Sequence, residues 1–236
     1  MAAEPGTFAG VERALRGELD ALRETVEHLA FDPHWFRRAF HAFGACFAVY
    51  YLLPEQGLTM AFIKHALPVL LFAGALAVEA YRILGRLPTE AFFGLREYER
   101  YRVSGYVYFA SAVVLLLYAF PPAIGAACIV GAAIGDPILG EFRRAKRPKL
   151  GNLAGVGFGT FVFWAVGFHP ALALLGGLLL VAGELAKNRV LDDDFMMPIL
   201  PAVAFVALSS VGAFAAFHLG LPEPFPYHVE VPSWLP

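Results

Sequence analysis

The chain has 236 residues, 58% of them hydrophobic and only 16% charged, with a formal net charge of −2. A soluble domain runs nearer to about 45–50% apolar and about 25% charged, so the composition excludes an ordinary water-soluble fold and predicts an all-α, polytopic transmembrane helical bundle. The two cysteines, Cys46 and Cys128, fall inside apolar segments without metal spacing, which excludes a disulfide framework.

Residues 1–34 are polar and lack the apolar core and small-residue cleavage site of a signal peptide. Leu15, Leu19, Leu22, Val26 and Leu29 recur there at three- and four-residue steps among charged residues. That spacing predicts an amphipathic helix, cytoplasmic and lying on the membrane surface or on the cytoplasmic loops. Asp32-Pro33 ends it. About seven spans follow, over 35–53, 61–82, 103–119, 121–139, 152–168, 170–186 and 195–219. The fourth to sixth are marginal in length, so the count is seven or six. Together they form a membrane-embedded catalytic domain over 35–219, followed by a Pro-rich external tail over 220–236.

The basic residues alternate between connections. Arg37 and Arg38 precede the first span, and five arginines from Arg82 to Arg102 lie between the second and third. Arg143, Arg144, Lys146, Arg147 and Lys149 separate the fourth and fifth, and Lys187 and Arg189 the sixth and seventh. The intervening connections PEQGLT, FPP and GFHP carry no Lys or Arg. The positive-inside rule therefore predicts a cytoplasmic N-terminus and an external C-terminus.

Asp192-Asp193-Asp194 lies between two apolar segments, and charges at mid-bilayer cost at least ~2.5–3.5 kcal/mol each, so the triplet is expected at a membrane surface. Taken alone, such a triplet is often a solvated turn. The topology, however, puts it on the same side as the basic GEFRRAKRPK and REYERYR segments. Carboxylates that hold a cation, beside Arg and Lys that hold phosphate oxygens, suit a metal–polyphosphate substrate. Asp136 ends an apolar run between Gly135 and Pro137, and Pro137 predicts a break in the helix there. Glu79 and Arg82, three apart, are expected to pair; Glu184 closes the sixth span; and His41 lies one turn beyond Arg37. Gly151, Gly155 and Gly159 form a small-residue ridge better suited to helix packing than to a phosphate cradle. No GxxxxGK[ST], dinucleotide fingerprint or HExxH occurs.

Four stretches together resemble the integral-membrane superfamily of dolichol and phytol kinases, CTP-dependent diacylglycerol kinases and phosphatidate cytidylyltransferases. Arg37-Arg38-Ala-Phe-His41 is similar to its R-K-x-x-H, and Arg96-Glu97-Tyr-Glu99 through Ser104-Gly105 to its acidic-then-SG segment. Gly135-Asp136-Pro-Ile-Leu-Gly140 is similar to its G-D element. Glu184 followed by Asp192-Asp193-Asp194-Phe-Met-Met-Pro198 resembles its E…D-D-N-L-T-I-P. The likeness covers about residues 37–200, with Asp194 where the kinases carry Asn and Lys149-Leu-Gly151 without the usual Ser and Glu. The kinase branch is the closer one, because the tail lacks the cytidylyltransferases' Gly/His-rich ending.

The resemblance implies a CTP-dependent kinase that transfers a phosphoryl group to a lipid alcohol, either polyprenol, phytol-like or diacylglycerol-type. The alternatives are a cytidylyltransferase making a CDP-lipid and, in another class, a non-catalytic membrane protein or transporter. Charges gathered at one interface, without repeated halves, count against transport. Asp136, Asp192, Asp193 and Asp194 are assigned to Mg²⁺ or another divalent cation. Arg37, Arg38, Arg143, Arg144, Lys146 and Lys149, with Gly135 and Gly151, are assigned to the nucleotide. Glu184 or His41 is expected to accept the hydroxyl proton, and Asp136 and Asp193 count among the catalytic groups. The expected partners are the bilayer, the lipid alcohol, the nucleoside triphosphate and a second copy of the chain, with no nucleic acid.

Overall fold

The computed structural model describes residues 8–28, 33–54, 56–85, 95, 99, 101–186 and 192–212. The tail 220–236, most of REYERYR, and Lys187 and Arg189 lie outside the described residues. Among those described, every regular element is helical: α1 (Phe8–His28), α2 (Pro33–Phe43), α3 (Leu58–Ala61), α4 (Leu67–Ile83), α5 (Gly105–Ala119), α6 (Pro122–Arg144), α7 (Pro148–Val166), α8 (Pro170–Leu185) and α9 (Asp193–Ser210). A 3₁₀ segment, Gly44–Leu52, continues α2, and a π turn, Phe62–Ala66, joins α3 to α4.

Among the described residues, four helical runs are long and apolar enough to cross a membrane: Leu58–Ile83, Pro122–Arg144, Pro148–Val166 and Asp193–Ser210. α5 and α8 are apolar but shorter, at 15 and 16 residues. The first expected span, 35–53, is divided, because the helix tightens to 3₁₀ at Gly44, where the chain lies against the Phe109 ring. On the run Leu58–Ile83 the large side chains Val69, Leu70, Leu71, Leu76 and Val78 are all exposed. A continuous apolar surface of that kind suits hydrocarbon better than water.

α6 is the hub of the bundle and packs against α2, the 3₁₀ segment, α5, α7, α8 and α9. Its sequence allows this: Ala126, Ala127, Ala132 and Ala133 are buried, and small side chains let backbones approach closely. The ridge on α7 serves packing in the same way. A methyl at Gly155 would meet Leu139 of α6, and one at Gly159 would come within 2.8 Å of the Gly177 Cα on α8.

The expected break at Asp136 does not occur. Pro137 sits inside α6, which runs on to Arg144. A proline removes one intrahelical hydrogen bond, and the packing of α6 on its six neighbours outweighs that loss. Asp136 therefore projects from a continuous helix about two turns before its end.

Candidate active site

The alternating directions of the helices bring the ends predicted to be basic and acidic to one end of the bundle. α2 leaves this end carrying Arg37 and His41, α4 returns to it with Glu79 and Arg82, and α5 leaves it from Gly105. α6 returns with Asp136 and Arg143, α8 with Glu184, and α9 starts from Asp192, Asp193 and Asp194.

Asp192 stands at the N-cap of α9 with extended backbone, and its carbonyl accepts the amides of Phe195 and Met196. Asp193 and Asp194 occupy the first turn, where the positive end of the helix dipole favours carboxylates. All three are nonetheless buried, Asp193 to 2% exposure. Adjacent buried carboxylates repel and lack water, so they require compensating cations or donors. Arg37 Nη2 donates to Asp194 Oδ2 at 3.1 Å, and its Nη1 lies 3.4 Å from Glu99 Oε2. His41 Nε2 lies 3.7 Å from Asp194 Oδ1 and 3.9 Å from Asp136 Oδ2. Arg143 is ion-paired with Glu184, and Arg38 with Glu141 on the exposed rim.

Among the described residues, three overlapping sets could hold a cation: His41, Asp136 and Asp194; Asp136, Glu184 and Asp193; and Asp192, Asp193 and Asp194. Each set offers one ligand atom per residue, all within 4.8 Å of one another. Ligand atoms on one divalent cation with bonds of about 2.0–2.6 Å lie within about 4–5 Å of one another, so the spacing is compatible with a single ion, and mainly carboxylate oxygens suit a hard one. Asp136 belongs to two of the sets and joins α6 to both α8 and α9. Among the described residues, Arg37 pairs with Asp194 and Glu99, and Arg143 with Glu184.

A second layer fixes the start of α5. Arg82 clasps Glu79 through two hydrogen bonds, 2.7 and 2.8 Å, and donates to the Arg102 carbonyl at 2.6 Å. Glu79 Oε1 accepts the Ser104 amide at 2.6 Å, and Glu99 Oε1 the Gly105 amide at 3.0 Å. Two amides at the entry to α5 are thus satisfied by carboxylates from elsewhere in the chain. Sequence reasoning paired Glu79 with Arg82 but did not assign Glu99 to the site. The signal was its place shortly before Ser104-Gly105 in a segment rich in charge. Glu99 is fully buried and ties Arg37 to α5.

The remaining expected residues separate by position. Arg144, Lys146 and Lys149 are exposed around the α6–α7 turn, where Lys146 takes a left-handed backbone, φ 57°. Gly151 lies against Phe142 and Gly135 against the end of Met197, so both stand at close helix contacts beside the site. Beside His41 opens an apolar groove of about 230 Å³ between α2, the 3₁₀ segment, α4 and α5.

No protein-family model, curated protein or solved structure matches the chain.

Proposed function

We propose that the protein is an integral-membrane, CTP-dependent lipid kinase of about seven spans. Its site would face the cytoplasm, with phosphoryl transfer to a lipid alcohol. The observation that carries this reading is the meeting, at one end of the bundle, of His41, Asp136, Glu184 and Asp192–Asp194 with Arg37 and Arg143, drawn from four helices. Phosphoryl transfer depends mainly on positioning and charge stabilisation, which is what such a set provides. The positive-inside distribution supports the cytoplasmic placement.

Asp136 and Asp193 with Glu184, or Asp192, Asp193 and Asp194 together, would hold a divalent cation, which would supply positive charge to the phosphoryl group being transferred. Arg143 pairs with Glu184 of the same cluster, while Arg144, Lys146 and Lys149 offer further cations from the turn beside it. The lipid hydroxyl oxygen forms a bond to the γ-phosphorus as the bond to the β–γ bridging oxygen breaks. The electron pair leaves on the nucleoside diphosphate. The hydroxyl proton passes to a base, and His41 is better placed than Glu184. Arg143 already engages Glu184, whereas the His41 ring borders the apolar groove and faces Asp136 and Asp194.

Purified protein in detergent, given each of four nucleoside triphosphates, Mg²⁺ and a panel of lipid alcohols, tests the reading. The expected products are a lipid monophosphate and CDP. Asp136→Asn and Asp192→Asn should abolish turnover at unchanged abundance. A CDP-lipid formed from a lipid phosphate with release of pyrophosphate would replace phosphoryl transfer by cytidylyl transfer. Absence of both nucleotide binding and turnover would end either reading.

A further inference from the structure

The groove beside His41 differs from every other part of the site in having almost no polar wall. Phe40, Phe43, Phe72, Phe109 and Val113 line it, and His41 stands at its polar end. Phe40 and Phe43 on α2, and Leu71 on α4, are well exposed. The groove is therefore reached sideways, between helices whose outer surfaces are apolar. A head group presented at His41 Nε2 would lie beside Asp136 and Asp194.

We propose that this groove binds the hydrocarbon chain of a single-chain lipid alcohol and delivers its hydroxyl to His41; the proposal rests on the lipid-kinase reading and names its acceptor. Three observations select that occupant. The groove borders the carboxylate site at His41 alone, so the occupant carries a polar terminus at one end only. Its open side faces outward along α2 and α4, so entry from a bilayer needs no passage through water. Its volume of about 230 Å³ falls below the ~300–1,000 Å³ of pockets that enclose drug-sized ligands, enough for a stretch of one chain. A two-chain lipid would have to leave its second chain outside.

The position also explains a local departure from regular structure. Gly44, where α2 gives way to the 3₁₀ segment, lines the groove and lies against Phe109. The Phe109 ring also stacks at a tilt on His41, 4.7 Å between centroids, so groove wall and proposed base are held as one unit.

Ala110 on α5 and Ala75 on α4 line the groove with small side chains, so phenylalanine at either position should fill it. For Ala110→Phe and Ala75→Phe, the KM for a long single-chain alcohol should rise about tenfold or more, equal to losing the burial of about two methylene groups. Nucleotide KM and thermal stability should stay near wild type. A photoreactive single-chain alcohol, irradiated with wild-type protein in detergent, should label peptides from α2, α4 or α5. Unlabelled alcohol should compete for that labelling, and diacylglycerol should compete poorly. Labelling in the groove without phosphoryl transfer would keep the chain site and fail only the kinase reading. Turnover with labelling confined to α7 or α8, equal competition by diacylglycerol, or unchanged lipid KM in both folded variants would overturn the proposal while leaving phosphoryl transfer intact.

Discussion

Replacing Gly105 with alanine sets a local effect against a site effect of opposite sign. Gly105 is the first residue of α5, and alanine is favoured over glycine in a helix by up to ~1 kcal/mol. The added Cβ, however, would overlap Asp194 Oδ2 and come within 2.9 Å of Arg37 Nη2 and 3.1 Å of Asp194 Cγ. Asp194 is 3% exposed, so its carboxylate has little room to withdraw without losing Arg37. Leaving one member of a buried pair uncompensated costs about 3–5 kcal/mol. Arg37 keeps Glu99 and is partly exposed, which places the cost at the low end. After the gain in helix propensity, the net destabilisation is about 2–3 kcal/mol. For a chain of this size that lowers Tm by roughly 4–12 °C, measured by thermal unfolding in detergent. Gly157→Ala on α7 is the control, because its Cβ would meet nothing within 4 Å. In an Asp194→Ala background the cost of Gly105→Ala should fall sharply, since most of the overlap is gone. Turnover should drop about 100-fold, the scale of a ~1 Å misplacement near reacting groups. A Gly105→Ala protein as stable and as active as wild type would refute the reasoning.

The structure also separates two neighbouring arginines. Arg143, which pairs with Glu184, should on exchange for Lys show a several-fold higher KM for nucleotide and a lower kcat, because lysine lacks the planar fork, whereas Arg144→Lys should change either by less than about twofold; equal kinetics for the two variants would return the whole turn to a topology signal. For orientation, a cysteine at Arg147 should react with an impermeant reagent only from the cytoplasmic side, and one at Gln56 only from outside. Reaction of both from one side would overturn the proposed topology.

Much of the site was legible because helices in series reverse direction. Charges at every second connection then share an end, and the alternation of basic residues in the chain reveals which end that is. His41, Asp136, Glu184 and the triplet at Asp192 needed only that parity to be brought together. Lys64 shows where parity stops informing. It falls within the expected second span, 61–82, and is buried, donating to the Leu53 carbonyl at 3.2 Å with its ammonium 5.4 Å from the centre of the Tyr50 ring. Pro137 misled for a related reason: a local rule about the residue before proline was applied to a helix that six neighbours hold together.

What the sequence could not rank was rotation about each helix axis. Successive residues of an α-helix point about 100° apart, so adjacent arginines at a helix end cannot both face the same neighbour. Both Arg143 and Arg144 are exposed, but Arg143 pairs with Glu184 on α8. The choice between them depends on which face of α6 packs against α7, α8 and α9. That face is chosen by small residues spread along the helix, such as Gly131 against Leu180 and Gly135 against Met197, not by anything near the basic turn. Glu99 depends on a still longer chain of causes. It reaches Arg37 because the entry to α5 is tied to Glu79 and Arg82 at the end of α4. Local spacing gives the inventory of charges at an end, but remote packing selects which of them face one another. Arg143 and Arg144 therefore belong in the same experiment, where a difference between adjacent residues of one type measures packing rather than charge.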